Sequence, residues 1–104
     1  NFEDFVLNGF DTDEYLTIEH LLPQVYWLYD DNGLVQMDYI GFFESIDKDF
    51  KIIASKIGKD ATAHLLPQEN KTLKKEEICF SPAMRGVVNR IYSEDFARFG
   101  YKKL

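Results

Sequence analysis

The most constraining feature of the sequence is an apolar stripe at helical spacing in its middle part. Its four members recur at intervals of four, three and four residues, which places them on one face of an α-helix; they are Ile46, Phe50, Ile53 and Ile57. A serine, which is a common N-cap residue, precedes the stripe, and a glycine, which commonly ends helices, follows it. We therefore predict a helix that begins after Ser45 and ends at Gly58.

A second long helix is predicted near the end of the sequence. Ser81-Pro82 places an N-cap residue before a proline at the first helical position, where the missing N–H of proline needs no partner. The helix is expected to extend to about residue 97, with an apolar stripe made of Val87, Val88, Ile91 and Tyr92. A short helix over residues 2–6 makes about three in all, and the polar stretch 59–80 is predicted to be a long loop.

Two β-prone runs lie between these helices. Residues 25–29 and 34–40 are rich in aromatic and β-branched side chains, and the turn signal Asp30-Asp-Asn-Gly33 separates them. The pattern predicts a β-hairpin or strand pair packed by about three helices, so the predicted fold class is α/β, or mixed α+β. Trp27 and the neighbouring tyrosines would then alternate between core and solvent; a stacking platform for a sugar or a base is the alternative.

Size and composition limit the possible functions. The 104 residues, 45% of them hydrophobic, fit one small domain over residues 1–104. Charged or polar residues interrupt every apolar run before 18 residues, so no membrane span is expected, and a net charge of −6 argues against nucleic-acid binding. The single Cys79 favours a reducing compartment such as the cytoplasm and is expected to be a buried thiol.

The charge is unevenly distributed along the sequence. Residues 1–50 contain twelve acids and one base, whereas residues 51–104 contain six acids and eleven bases. This asymmetry is compatible with an anion-binding surface on the second half. Charge complementarity between the two halves of one fold is the simpler interpretation.

Common catalytic and metal-binding motifs are missing from the sequence. None of the six glycines lies in the context of a phosphate-binding P-loop, and His20, His64 and Cys79 lack the spacing of a zinc site. Asp30-Asp-Asn-Gly33 lacks the remaining ligands of a calcium loop. We therefore expect no metal.

Several stretches together resemble the C-terminal part of the carbohydrate-type sulfotransferase family. They begin with His20-Leu-Leu-Pro-Gln24 and Asp38-Tyr-Ile-Gly-Phe-Phe-Glu44 and continue through Asp49-Phe50, Leu66-Pro-Gln-Glu-Asn70 and Asp95-Phe-Ala-Arg-Phe-Gly-Tyr101. The resemblance is strongest over residues 20–101. Two positions depart from the family pattern: Leu21 replaces a Trp, and Phe42 replaces an Arg that could orient an anion or pair with a carboxylate.

The resemblance implies a fold around a parallel sheet, PAPS as sulfuryl donor, the product PAP as a ligand, and a carbohydrate hydroxyl as acceptor. The family's phosphosulfate loop and 3′-phosphate contacts lie upstream of the matched region, so the chain alone is expected to be inactive. The implied partner is the missing N-terminal half of such an enzyme. Whether the chain is an enzyme at all stays open.

Four residues are the candidate binding residues that the resemblance implies. His20 and Gln24 are expected to line an acceptor or donor cleft, with His20 a weak candidate for the proton acceptor, although both could instead fasten the loop to the sheet. Asn70 and Lys71 lie in a loop implied to close over the nucleotide, where Lys71 could meet a phosphate. The alternative function is a freestanding homodimeric binding module without catalysis.

Overall fold

The computed structural model describes residues 1–10, 17–60, 66–67 and 78–104. The chain divides into two compact units, Asn1–Gln36 with Glu77–Leu104 and Met37–Glu76. The α-helices are α1 (Phe2–Asp4), α2 (Val25–Leu28), α3 (Ile46–Lys56), α4 (Pro82–Ile91) and α5 (Ser93–Phe99). A π-helical turn, Phe5–Gly9, continues α1, and 3₁₀ turns span Glu19–Leu21 and Phe43–Ser45.

The predicted α/β fold class is wrong. Throughout the described ranges the chain forms helices and turns with no strand or sheet, and its one β-type contact is an isolated antiparallel bridge between Tyr29 and Val35. Within the β-prone run 25–29, residues Val25–Leu28 instead form the helix α2. The helix is favoured here because the distant Asp95 carboxylate accepts hydrogen bonds from the backbone N–H groups at its start. The parallel sheet implied by the family resemblance is likewise not found in these residues.

The predicted turn at Asp30 is present, although it does not connect two strands. The Asp30 carboxylate accepts hydrogen bonds from the backbone N–H groups of Asn32 and Leu34, at 3.0 and 2.8 Å. Gly33 has a φ of +74°, a value that favours glycine. The turn therefore reverses the chain, and a single bridge forms where a hairpin was expected because residues 34–40 have no neighbouring strand to extend it.

The core of the first unit lies between the α1 region and α4. Val6, Phe10 and Met84 are buried together, and seven partly buried side chains surround them: Leu7, Leu21, Phe80, Val87, Val88, Ile91 and Tyr92. The predicted stripe of the last helix is thus confirmed as a core face. The predicted cap is also confirmed, since the Ser81 hydroxyl accepts a hydrogen bond from the Met84 N–H at 3.3 Å.

Two other predictions about this region need correction. The last helix is interrupted at Tyr92, which separates α4 from α5. Cys79 is exposed rather than buried. Most of the predicted loop 59–80 lies outside the described residues.

The second unit contains α3, which forms where the apolar stripe predicted it. The Ser45 hydroxyl does not cap the helix but donates a hydrogen bond to the Asp49 carboxylate at 2.6 Å. The chain leaves the helix through Gly58, which has a φ of +71°. The helix is therefore confirmed, but its N-terminal contact is a side-chain cluster that the stripe alone does not indicate.

Candidate functional site

The centre of the candidate site is a carboxylate that joins two distant parts of the sequence in the first unit. Asp95, at the start of α5, accepts hydrogen bonds from the backbone N–H groups of Gln24 and Val25, at 2.8 and 3.0 Å. Three residues earlier, the Tyr92 hydroxyl donates to the carbonyl oxygen of Leu21 at 2.7 Å. The stretch from residue 21 to 25 is therefore held against the α4–α5 junction by three hydrogen bonds.

This arrangement leaves an aromatic side chain beside a groove. Tyr26 follows the anchored residues and is 65% exposed. One face of the site is a groove of about 280 Å³ between α2, the Asp30 turn and α5, lined by Tyr26, Tyr29, Asp31, Gly33, Glu94 and Arg98. A second concavity of about 220 Å³ also borders Tyr26, together with Pro23, Ile91 and Ser93. Tyr26 thus lies between two adjoining depressions.

Arg98 is held in one place within this groove. Its guanidinium carbon lies 4.5 Å from the ring centroid of Tyr29, a cation–π distance, and its Nε lies 3.5 Å from a carboxylate oxygen of Glu94. A Cβ at position 33 would meet the guanidinium at 3.5 Å, and the positive φ of Gly33 further disfavours a side chain there. The groove therefore has a hydrogen-bond donor over the Tyr29 ring.

The second unit has a separate polar cluster around Asp49. Its carboxylate accepts hydrogen bonds from the Tyr39 hydroxyl at 2.8 Å, the Phe42 backbone N–H at 2.8 Å and the Ser45 hydroxyl. These bonds, that of Phe42 first, lower the pKa of Asp49, and the bond to Asp49 is the main cause that raises the pKa of Tyr39. A Cβ at Gly41 would lie 3.2 Å from that of Asp49.

The Asp49 cluster brings together residues of two sequence stretches, Asp38–Glu44 and Asp49-Phe50. Tyr39 and Phe42 donate hydrogen bonds to Asp49, and a Cβ added at Gly41 would also meet this residue. Phe42 participates through its backbone N–H. These contacts hold the residues before α3 in place. The Asp49 carboxylate accepts all three of its hydrogen bonds from groups of the protein.

Of the four predicted site residues, the structure describes His20 and Gln24. His20 is exposed in the 3₁₀ turn Glu19–Leu21, and Gln24 is exposed immediately before α2. Asn70, Lys71 and His64 lie outside the described residues. The roles assigned to His20, Gln24, Asn70 and Lys71 stay predictions.

From the sequence, the tyrosines beside Trp27 were named only as an alternative stacking platform, and Glu94 and Arg98 were not named. Tyr26 and Trp27 were expected to alternate between core and solvent, but both are exposed, at 65% and 52%, because α2 is a helix. The pair Glu94 and Arg98 has the i, i+4 spacing of a helical ion pair, which is the one signal that could have drawn attention to it.

Searches with family models, curated proteins and solved structures gave no match to this chain. Every helix in the described ranges is too short or too polar to traverse a lipid bilayer. Within the same residues, the side chains of His, Cys, Asp and Glu form no group of three or more suited to a metal ion.

Proposed function

We propose that the chain is a sulfotransferase-like C-terminal region that contributes a carbohydrate-binding surface and does not transfer sulfuryl groups by itself. The observation that carries the proposal is the binding of Gln24 and Val25 by Asp95. It joins the first and the last of the stretches that resemble the family, and it does so beside the groove at Tyr26.

The chemistry of the groove supports a sugar as its ligand. An exposed tyrosine ring offers a flat apolar face to the C–H side of a pyranose, while the carboxylates of Asp31 and Glu94 accept hydrogen bonds from hydroxyl groups. Arg98 adds a donor that is already oriented. At about 280 Å³, the groove lies near the lower end of the usual range for ligand sites, which suits one sugar ring better than a nucleotide.

The groove does not fit the donor PAPS. Among the described residues that line it, Arg98 is the sole cation, and it faces Glu94 with Asp30 and Asp31 nearby. Binding a phosphosulfate group there would bring its negative charges next to these carboxylates. We therefore assign no donor step to this groove. Asn70 and Lys71 stay the proposed donor contacts.

His20 and Gln24 stay proposed acceptor contacts. The side chains of both residues are exposed, and only the backbone N–H of Gln24 is engaged by Asp95. His20 is the proposed proton acceptor for the sugar hydroxyl when a donor site is supplied by other residues. A cytoplasmic location, suggested by the single cysteine, is part of the same proposal.

The proposal is tested by titrating the full chain calorimetrically with disaccharides of glucose and of N-acetylglucosamine. Saturable binding is expected, with a loss of about tenfold or more in Tyr26→Ala because stacking is lost. Trp27→Ala is the matched control: this aromatic residue is also exposed on α2 but does not line the groove, so its replacement should leave the affinity unchanged.

Two outcomes contradict the proposal. Failure of the wild-type chain to bind either sugar would remove the carbohydrate surface, and equal losses in the two variants would show that the groove is not the site. A parallel titration with PAP tests the donor assignment. Binding of PAP that is abolished by Arg98→Ala would show that the groove accepts the nucleotide after all.

A further inference from the structure

We propose that Asn32, in the turn after α2, is a site of spontaneous deamidation that converts it to aspartate or isoaspartate. The sequence contains two Asn-Gly pairs, Asn8-Gly9 and Asn32-Gly33. A glycine after asparagine has no Cβ to shield its backbone nitrogen, so this nitrogen can approach the asparagine side chain. Because both pairs offer the same reacting atoms, their surroundings in the fold decide which of them reacts.

The reaction requires only the protein and water. The backbone nitrogen of Gly33 attacks the side-chain carbonyl carbon of Asn32, and a new C–N bond forms between them. The side-chain amide nitrogen takes up the proton that the attacking nitrogen gives up, and it leaves as ammonia. Water then opens the resulting cyclic imide by breaking one of its two C–N bonds. One opening gives aspartate, and the other gives isoaspartate, in which the main chain passes through Cβ.

The surroundings of Asn32 allow this attack. Asn32 is exposed, and its side-chain amide makes no hydrogen bond within the described ranges. The Gly33 N–H donates to the carbonyl oxygen of Asp30 at 2.9 Å, and this bond must open before the nitrogen can attack. It closes one turn at the protein surface, where local opening requires little free energy.

The surroundings of Asn8 oppose the same reaction. Asn8 lies in the π-helical turn Phe5–Gly9, and its side-chain amide donates a hydrogen bond to the Asp4 carboxylate. Val6 of this turn and Phe10 after it are buried in the core of the first unit. Attack at Asn8 therefore requires the loss of a side-chain hydrogen bond and the unwinding of a turn that packs in the core.

Conversion of Asn32 would change the turn and the groove beside it. Aspartate adds a negative charge next to Asp30 and Asp31. Isoaspartate also adds a methylene group to the main chain, which disturbs the spacing at which the N–H groups of residues 32 and 34 meet the Asp30 carboxylate. Since Asp31 and Gly33 line the groove at Tyr26, its shape and charge would change as the protein ages.

Mass spectrometry on the full chain, incubated in buffer and then digested, tests the inference. Deamidation replaces NH₂ with OH and raises the mass by about 1 Da, and fragment ions assign the change to position 8 or 32. We expect Asn32 to convert at least about tenfold faster than Asn8, because its turn opens more readily. Both rates should rise between about pH 7 and pH 9, since the attacking nitrogen must lose its proton.

Two variants and one denaturant serve as controls. Asn32→Gln should remove the mass change at position 32, because its carbonyl carbon lies one methylene further from the Gly33 nitrogen. Asp4→Ala should accelerate conversion of Asn8 by releasing its side-chain amide, and it should leave the rate at Asn32 unchanged. In concentrated guanidinium chloride, where the fold is lost, the two asparagines should convert at similar rates.

Equal rates at Asn8 and Asn32 in the folded chain would overturn the inference, and so would the absence of any conversion at Asn32. A tenfold difference that persists in guanidinium chloride would overturn it too, because the fold would then not be its cause. None of these measurements involves a sugar, so the outcome is independent of the proposed carbohydrate surface.

Discussion

Replacing Asp95 with alanine is predicted to destabilise the first unit by about 2 kcal/mol. The carboxylate accepts two backbone hydrogen bonds, from Gln24 and Val25 at 2.8 and 3.0 Å. Hydrogen bonds to a charged group contribute roughly 1.5–3 kcal/mol each, and loss of a helix N-cap costs roughly 0.5–2 kcal/mol. Since Asp95 is half-buried, part of this loss is offset when water reaches the freed N–H groups.

Urea denaturation followed by circular dichroism measures this loss. With a slope of roughly 1–3 kcal/mol per molar urea, a loss of about 2 kcal/mol moves the midpoint down by about 1 M. Asp95→Asn keeps one acceptor oxygen and should lose about half as much.

The matched control is the neighbouring acid, Glu94. Its carboxylate is exposed and makes an i, i+4 ion pair with Arg98, so Glu94→Ala should cost no more than about 0.5 kcal/mol. If Asp95→Ala costs no more than Glu94→Ala, the hydrogen bonds from α2 do not anchor the segment, and the argument that joins residues 21–25 to α5 is refuted.

Three further predictions concern Asp49, Tyr39 and Met84. Because the pKa of Asp49 is lowered from 3.8, its contribution to stability is present above pH 3.8 and lost as the pH falls through the lower folded value; Asp49→Asn should therefore flatten the acid limb of a circular-dichroism pH titration. The pKa of Tyr39 is raised from 10.0, so its contribution is present below pH 10 and lost as the pH rises through the folded value; Tyr39→Phe should remove that alkaline loss. Met84→Ala, at a side chain 2% exposed, should cost about 2–5 kcal/mol in urea denaturation, and no loss would contradict the assigned core.

The parts of the fold that local chemistry decides were predictable from the sequence. The Ser81 hydroxyl caps α4 by accepting a hydrogen bond from the N–H of Met84, three residues further on. The position of α3 follows from the spacing of its apolar residues. The Asp30 turn likewise depends on contacts within five residues. In each case the residues that form the element are also the residues that stabilise it.

The α2 region was mispredicted because its stabilising partner is distant in the sequence. Val25–Leu28 has β-prone residues, but Asp95, seventy residues from Val25, accepts the N–H groups that a helix start leaves unpaired. No pattern within residues 20–40 contains that information. Tyr26 and Trp27 of this helix are both exposed, at 65% and 52%.

The α3 stripe shows a second feature that the sequence pattern does not predict, namely which residues of a helix are buried. Periodicity identifies an apolar face, but it does not identify what covers that face. Here Ile46, Ile53 and Ile57 are exposed and Phe50 is half-buried, while the buried positions of α3 are Asp49 and Ala54. The polar cluster at Asp49 depends on Tyr39 and Phe42, which precede the helix, and Tyr39 was assigned to the predicted strand 34–40.

The most direct test of the proposed carbohydrate surface is a ¹⁵N–¹H correlation spectrum of the labelled chain, recorded during titration with a disaccharide of N-acetylglucosamine. Saturable shifts are expected at the backbone amides of four groove residues, Tyr26, Gly33, Glu94 and Arg98, and none along α3. Shifts confined to α3, or no shifts at saturating sugar, would contradict it.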